Sequence, residues 1–223
     1  MILVLHGALG SRHQFEPLVE RLGERGSFLE FTGHGTTADD GGAWTIPLFV
    51  DQLERQLDAG AGDPVTIFGY SMGGYVAMTL ALRRPELFRN IVTLGTKLAW
   101  TREGAEKEAG RLNADVIAEK VPAFAADLQR RHGADRWRSV LDRTAGLMRD
   151  LGTTPLLTPE GMASMSVPVR FMLGDRDEMV GLDETVAFYK ATPGAEFAVL
   201  PSTRHPIEKV DIGHVLRHLD DVA

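Results

Sequence analysis

The sequence contains no cysteine among its 223 residues. This absence excludes disulfide bonds, a thiolate nucleophile and metal sites with cysteine ligands. The sequence also lacks an excess of basic residues, because 24 Lys and Arg stand against 31 Asp and Glu, for a formal net charge of −7. Nucleic acids and anionic membrane surfaces are bound by clustered positive charge. We therefore expect neither a nucleic acid nor a membrane as a partner.

Long hydrophobic runs are missing as well. The apolar stretch at residues 2–5 is short and has no basic residues before it, and no later stretch approaches the length of a membrane span. We therefore expect a cytoplasmic protein.

At 43% hydrophobic and 25% charged residues, the composition is that of a globular domain with a buried core. The length suits one domain with one inserted subdomain, and the oligomeric state is left open.

Short apolar runs alternate with segments of helical period along most of the chain. Buried strands are predicted at 2–5, 27–31, 65–68, 91–94, 169–173 and 196–200. A helix is predicted at 12–22 with Ser11 as its N-cap, and others at 44–59, 72–84, 182–191 and 207–219. Repeated strand–helix units indicate the α/β class, with a mostly parallel sheet of about six strands flanked by helices. Residues 1–96 and 164–223 are predicted to form this core.

The alternation is interrupted between residues 97 and 163, where only helical patterns occur. Pro122 lies within this stretch and must begin or kink a helix. An all-helical block between two strands of one sheet is typical of an insertion at the sheet edge. We therefore predict a helical cap subdomain at 97–163.

The residues that directly follow the predicted strands are candidates for the functional site, because ligands of such sheets bind beyond the carboxyl ends of the strands. Gly69-Tyr70-Ser71-Met72-Gly73 fits G-x-S-x-G between a strand and a helix. The nucleophile of this motif stands on a sharp turn that requires small neighbours, which explains Gly69 and Gly73. Ser71 is therefore predicted to be a nucleophile.

A serine hydroxyl needs a base, and the base needs a carboxylate that orients it. Of the seven histidines, His205 is the one that directly follows the last predicted strand, whereas His6 is expected to be structural. Asp175 and Asp177 both follow the strand at 169–173. Asp177 lies further into the loop and is favoured for that reason, but the residues alone leave both candidates open.

These motifs together resemble the α/β-hydrolase superfamily, in its branch with a helical cap. The segment His6–Gly10 resembles the HG-x-x-G oxyanion turn, Gly33-His34-Gly35 the G-H-G turn, and Gly69–Gly73 the nucleophile elbow. The resemblance spans the chain outside the cap. It implies that Asp177 is the acid and His205 the base, and that the backbone N–H groups of Ala8 and Met72 form the oxyanion hole.

Two departures from the family pattern concern the sheet and the histidine loop. The first predicted strand already leads into the oxyanion turn, so we expect an α/β-hydrolase fold that lacks its first two strands. Thr203 and Arg204 stand where many relatives have a glycine before the histidine, and Pro206 follows His205. We expect a different loop shape there with the same role for His205.

The resemblance implies a serine hydrolase that acts on a carboxylic ester or thioester of a small to medium substrate, through an acyl-enzyme and without metal or cofactor. The alternatives are a carbon–carbon bond hydrolase or lyase of cofactor or aromatic metabolism with the same triad, and a non-catalytic ligand-binding protein. The arginines near His132, at 130, 131, 136 and 138, allow two interpretations, a basic rim for an anionic substrate and a solvated face. The acidic residues interleaved with them favour the solvated face. The candidate substrate-binding residues are Leu9, Tyr70, Trp100, Phe124 and Trp137.

Overall fold

A parallel sheet of six strands forms the centre of the part of the chain that the computed structural model describes, residues 1–39, 41–60 and 62–222. The strand order is β2-β1-β3-β4-β5-β6, and every neighbouring pair is parallel. The prediction of a mostly parallel sheet of about six strands is therefore confirmed. The strands are β1 (Ile2–Leu5), β2 (Gly26–Leu29), β3 (Val65–Tyr70), β4 (Phe88–Leu94), β5 (Val169–Gly174) and β6 (Glu196–Leu200).

Helices cover both faces of this sheet. In chain order they are α1 (Glu16–Leu22), α2 (Ile46–Asp58), α3 (Met72–Arg83), α4 (Arg102–Gly110), α5 (Ala114–Lys120), α6 (Pro122–His132), α7 (Trp137–Thr153), α8 (Pro159–Met162), α9 (Leu182–Ala191) and α10 (Ile212–Asp220). Alternate strand residues point to opposite faces. Leu3, Leu5 and Ile67 pack with α2, α3 and α9, whereas Val4 and Phe68 pack with α1 and α10.

The helix predicted from residue 12 begins later than expected. A single 3₁₀ turn covers Arg12–Gln14, and α1 starts at Glu16 with Pro17 in its first turn, a position that suits proline. The hydroxyl of Ser11, the predicted N-cap, has no hydrogen-bond partner. Instead, the backbone N–H of Ser11 donates to the side chain of Gln14 over 3.0 Å. Ser11 is therefore the N-cap residue, as predicted, but of the 3₁₀ turn, and its side chain makes no capping bond.

Residues 95–168, all of which are described, contain helices and no strand between β4 and β5. Pro122 is the first residue of α6, where its missing N–H costs no hydrogen bond. Leu147 and Leu151 of α7 join the core above the sheet. The extent of the predicted cap, 97–163, stays a prediction. None of the described helices is long and apolar enough to cross a membrane.

Tyr75 connects this helical segment to α3. Its side chain is buried, and its hydroxyl oxygen accepts the backbone N–H groups of Leu156 and Leu157, each over 3.0 Å. Tyr75 lies one helical turn after Ser71. The two hydrogen bonds therefore attach the segment that leads toward β5 to α3, close to the serine.

Replacing Tyr75 by Phe tests this connection. Tyr75→Phe leaves two N–H groups without their acceptor, so we expect the free energy of unfolding to fall by about 2 kcal/mol. Tyr189→Phe on α9, where the ring packs against Phe197, serves as the control and should change it by less than about 0.5 kcal/mol. Urea unfolding of both variants provides the comparison, and equal effects would contradict the role of the Tyr75 hydroxyl.

Candidate active site

Ser71 stands on a sharp turn between β3 and α3. Its backbone has φ 50° and ψ −116°, a conformation that costs a non-glycine residue about 1–3 kcal/mol. The turn also brings backbones close together. A Cβ on Gly73 would lie 2.6 Å from the Leu5 carbonyl oxygen, and one on Gly69 would lie 2.6 Å from the Gly74 nitrogen. Glycine is therefore required at both positions predicted from the motif.

Hydrogen bonds from the end of β4 hold the strained serine in place. The Ser71 N–H donates to the Leu94 carbonyl over 2.9 Å, and the Thr96 hydroxyl donates to the Ser71 carbonyl over 3.0 Å. The same carbonyl accepts the Gly74 N–H over 3.1 Å. The conformation of Ser71 is thus determined by its surroundings, as expected for a strained residue that persists in a folded protein.

Asp177 and His205 form a buried pair. Asp177 Oδ2 lies 2.8 Å from His205 Nδ1, and the two side chains are 3% and 10% exposed. The other oxygen, Asp177 Oδ1, accepts the N–H groups of Met179 and Val180 over 2.8 and 2.9 Å. The carboxylate is therefore fixed on both oxygens. Since Nδ1 faces a carboxylate, it carries the ring proton, and Nε2 is left to accept one.

Asp175 has a different place in the same loop. It is exposed, and its Oδ1 accepts the Thr203 N–H over 3.0 Å. Hydrogen bonds from the backbone of Ser202, and then of Thr203, lower the pKa of its carboxyl group. Asp175 thus braces the loop before His205, in which Ser202 adopts φ 54°. The loop therefore reaches His205 without a glycine at position 203 or 204.

Ser71 and His205 lie together in the wall of one cavity that opens to solvent. Ala8 and Met72 line the same cavity. Met72 is the first residue of α3, where the N–H groups have no acceptor within the helix and form the positive end of the helix dipole. The site therefore combines a hydroxyl and an imidazole around one space, with the first turn of α3 in its wall.

The rest of the cavity wall is mostly apolar. Trp100 contributes to it, as predicted, and so do Leu147 and Met148, whose apolar side chains in the helical segment are also candidates for such a pocket from the sequence. The sequence did not single out the other apolar residues of the wall, which are Ile46, Tyr75, Leu151, Met179 and Val180. Two charged side chains in the wall already have partners. Lys97 Nζ lies 3.7 Å from Glu184 Oε1, and Glu108 pairs with Arg111 over 2.8 Å. The wall is thus suited to an apolar group.

Four of the predicted substrate-binding residues lie outside this wall. Trp137 is 3% exposed in a cluster with α5 and α6, and Phe124 packs against the same cluster. Tyr70 packs on the opposite face of the sheet and donates its hydroxyl to the His205 carbonyl over 2.7 Å. Leu9 packs against the core at the turn that it helps to form. Helical spacing does not distinguish a core aromatic from one that lines a cavity.

Three buried histidines adjoin the turn at Gly7–Gly10. The ring of His34 lies 4.8 Å from that of His6 and 5.9 Å from that of His132, between ring centres. Burial lowers the pKa of His6 and of His132 to about 4, and that of His34 well below its usual value. No cluster of His, Asp or Glu within the described ranges is placed to hold a metal ion. Burial therefore keeps the three rings neutral near pH 7.

The arginines around His132 are only partly a solvated face. Arg130 and Arg138 are exposed, in agreement with the prediction. The side chain of Arg131 is 8% exposed, and Arg136 donates to the carbonyls of Thr37, over 3.1 Å, and Gly35. The prediction was wrong for these two residues, because Arg131 pairs with Glu208 and also contacts the Leu9 carbonyl, and Arg136 binds backbone carbonyls of the core.

Comparisons with known proteins agree with this geometry. Residues 2–221 match the model of the Alpha/beta hydrolase family. The chain is 25% identical over 231 aligned positions to the sn-1-specific diacylglycerol lipase ABHD11 of Mus musculus, covering 92% of this chain and 74% of the lipase. It is 30% identical over 128 positions to a pimeloyl-[acyl-carrier protein] methyl ester esterase of Neisseria meningitidis, covering 56% of this chain and 47% of the esterase. That alignment thus spans about half the esterase's length.

Solved structures show the same fold. NosK from Streptomyces actuosus superposes with a TM-score of 0.82 at 23% identity, over 99% of this chain and 96% of NosK. E-2-(acetamidomethylene)succinate hydrolase superposes with a TM-score of 0.79 at 19% identity, over 100% of this chain and 90% of the hydrolase. Identities this low establish a shared fold and no shared substrate.

The buried histidines predict an acid-sensitive stability. Their pKa is near 6.5 in the unfolded chain and about 4 for His6 and His132 in the folded one. Between these values the unfolded chain binds more protons, so the free energy of unfolding falls as the pH falls from about 6.5 toward 4. The slope is about 1.4 kcal/mol per pH unit for each histidine.

Urea unfolding at pH 7 and pH 5 measures this effect. At pH 5 we expect a loss of about 4 kcal/mol from His6 and His132 together, and His132→Gln should reduce the slope by about 1.4 kcal/mol per pH unit. An unfolding free energy that stays constant from pH 7 to pH 5 would contradict the neutral, buried state of these rings.

Proposed function

Since the chain belongs to the Alpha/beta hydrolase family and is an enzyme of it, we propose that it is a serine hydrolase of carboxylic esters or thioesters. The substrate is small to medium in size and carries an apolar group next to the bond that is cleaved. One observation carries the proposal: His205, which is hydrogen-bonded to Asp177, lies at the same cavity as the strained Ser71.

The proposed first step is acylation of the serine. Ser71 Oγ attacks the carbonyl carbon of the ester while His205 Nε2 takes its proton, and Asp177 stabilises the imidazolium that forms. The carbonyl oxygen becomes an anion, which the N–H groups of Ala8 and Met72 stabilise. Each such donor contributes about 3–4 kcal/mol to transition-state stabilisation. The C–O bond then breaks, and His205 returns the proton to the departing alcohol.

Water completes the proposed cycle. His205 takes a proton from the water molecule, the hydroxide attacks the acyl carbon, and the acid departs as Ser71 recovers its proton from His205. Every proton transfer uses the same nitrogen, because Nδ1 stays bound to Asp177. The proposed mechanism uses residues of this chain and one water molecule.

The contents of the cavity wall favour an ester over the alternative reactions. A carbon–carbon bond hydrolase or lyase acting on an anionic substrate would gain from a cationic clamp, but Lys97 in the wall is paired with Glu184. A binding protein without catalysis would gain nothing from a serine held in a costly backbone conformation. The apolar wall fits the acyl group of an ester, as expected for a ligand site of this kind.

Exchanging each of the two loop aspartates tests the proposal with a matched control. Asp177→Asn removes the charge that stabilises the imidazolium, and we expect kcat on p-nitrophenyl butyrate to fall about 10³- to 10⁴-fold. Asp175→Asn keeps an acceptor for the Thr203 N–H, and we expect less than about a fivefold change. Steady-state kinetics on acetate, butyrate and octanoate esters provides the measurement.

Equal losses in the two variants would contradict the assignment of Asp177. A wild-type protein that is folded and cleaves none of the three esters would contradict the proposed reaction.

A further inference from the structure

The turn at Gly7–Gly10, which carries the proposed oxyanion donor of Ala8, contains a residue in an unfavourable conformation. The Gly10 N–H donates to the Gly7 carbonyl over 3.1 Å and closes the turn, with Leu9 at its third position. Leu9 has φ 59°, whereas a positive φ at this position is normally taken by glycine or asparagine. The turn is therefore not maintained by local preference, and another interaction must hold it.

Two side chains at the end of α6 supply that interaction. His132 Nε2 lies 3.0 Å from the Leu9 carbonyl oxygen, and an Arg131 N–H donates to the same oxygen over 3.5 Å. His132 is completely buried, and the Arg131 side chain is 8% exposed. The contact therefore joins two parts of the chain that are 123 residues apart.

The His132 ring is fixed from its other side as well. Its Nδ1 accepts the Gly35 N–H over 3.0 Å, so the neutral ring must carry its proton on Nε2, directed at Leu9. Burial keeps this ring neutral, because it lowers the pKa of His132 to about 4. The ring is thus an oriented donor to the Leu9 carbonyl.

We propose that His132 is a positioning residue, which holds the Gly7–Gly10 turn through the Leu9 carbonyl and thereby directs the Ala8 N–H at the oxyanion. The proposal rests on the serine hydrolase function given above. Under this proposal, full stabilisation of the transition state requires that α6 is packed against the core. The residue acts through the turn and does not contact the reacting atoms.

A purely structural His132 would predict a different result. If the residue served only to attach α6, its loss would lower stability and leave kcat in the folded protein unchanged. A misdirected Ala8 N–H lowers kcat with little effect on KM, because the oxyanion exists only in the transition state.

Two substitutions each preserve a different one of the two hydrogen bonds of the His132 ring. His132→Gln places an amide N–H near the position of Nε2 and keeps a donor for Leu9. His132→Asn places its oxygen near Nδ1, so it keeps an acceptor for Gly35 and is too short to reach Leu9. Arg138→Gln, an exposed position on α7 that pairs with Asp115, controls for changes in the helical segment.

The expected results follow from the loss of the hydrogen bond between residue 132 and the Leu9 carbonyl. For His132→Asn, kcat on p-nitrophenyl butyrate falls about 10- to 50-fold with KM changed less than about threefold, a partial loss of one oxyanion donor. A boronic acid inhibitor forms a tetrahedral adduct on serine, and its affinity weakens by a similar factor. His132→Gln and Arg138→Gln stay within about threefold of the wild type.

Three results would overturn the proposal: wild-type kcat in folded His132→Asn, a loss in His132→Gln as large as that in His132→Asn, or an effect confined to thermal stability. If His132→Asn does not fold, a kcat of His132→Gln more than tenfold below the wild type still overturns it. The wild type is assayed first on the same ester. If the wild type does not cleave this ester, the serine hydrolase function itself is rejected. That outcome is distinct from the three results that would overturn only the role of His132.

Discussion

The close approach of β1, β3 and the start of α3 is the constraint on which the site depends. Gly73 lies so near the Leu5 carbonyl that a side chain at this position would collide with β1. Ser71 is consequently pushed into a backbone conformation that L residues avoid, and the bonds to Leu94 and Thr96 keep it there. The stability of the sheet thus maintains the exposure of one hydroxyl at the cavity.

The same principle applies to the loops around the serine. Two of the loops near the serine are held by polar side chains that have no part in the proposed chemistry, the exposed Asp175 and the buried His6. Asp175 braces the loop of His205, and His6 joins the Gly7 carbonyl to the Phe31 N–H. Loops are the variable part of such folds, so these internal braces decide how precisely the catalytic groups meet.

Local patterns were sufficient to predict much of the architecture. Buried apolar runs gave the six strands, and the carboxyl ends of those strands gave the positions of Ser71, Asp177 and His205. The second strand ends at Leu29 rather than at residue 31, because the Phe31 N–H binds the His6 ring in place of a neighbouring strand. The catalytic roles themselves stay predictions until they are tested.

Contacts between distant parts of the chain could not be predicted. Trp137 has the helical spacing of a buried residue. That spacing would be the same if Trp137 lined the cavity, but in the structure it packs in a separate cluster with α5 and α6. Arg136 resembles a solvent-exposed arginine in the sequence, although it binds carbonyls of the Gly33–Gly35 turn region. Such pairings depend on the packing of α6 and α7 against the core, for which the sequence contains no local pattern.

The central claim, that Ser71 is an activated nucleophile, is tested most directly by covalent labelling. The folded protein is treated with a fluorophosphonate, and the modified residue is identified by mass spectrometry, with Ser71→Ala as the control. The account predicts a single adduct on Ser71 and none in the variant. A folded wild-type protein that gains no adduct, or one that is modified equally in Ser71→Ala, would contradict it.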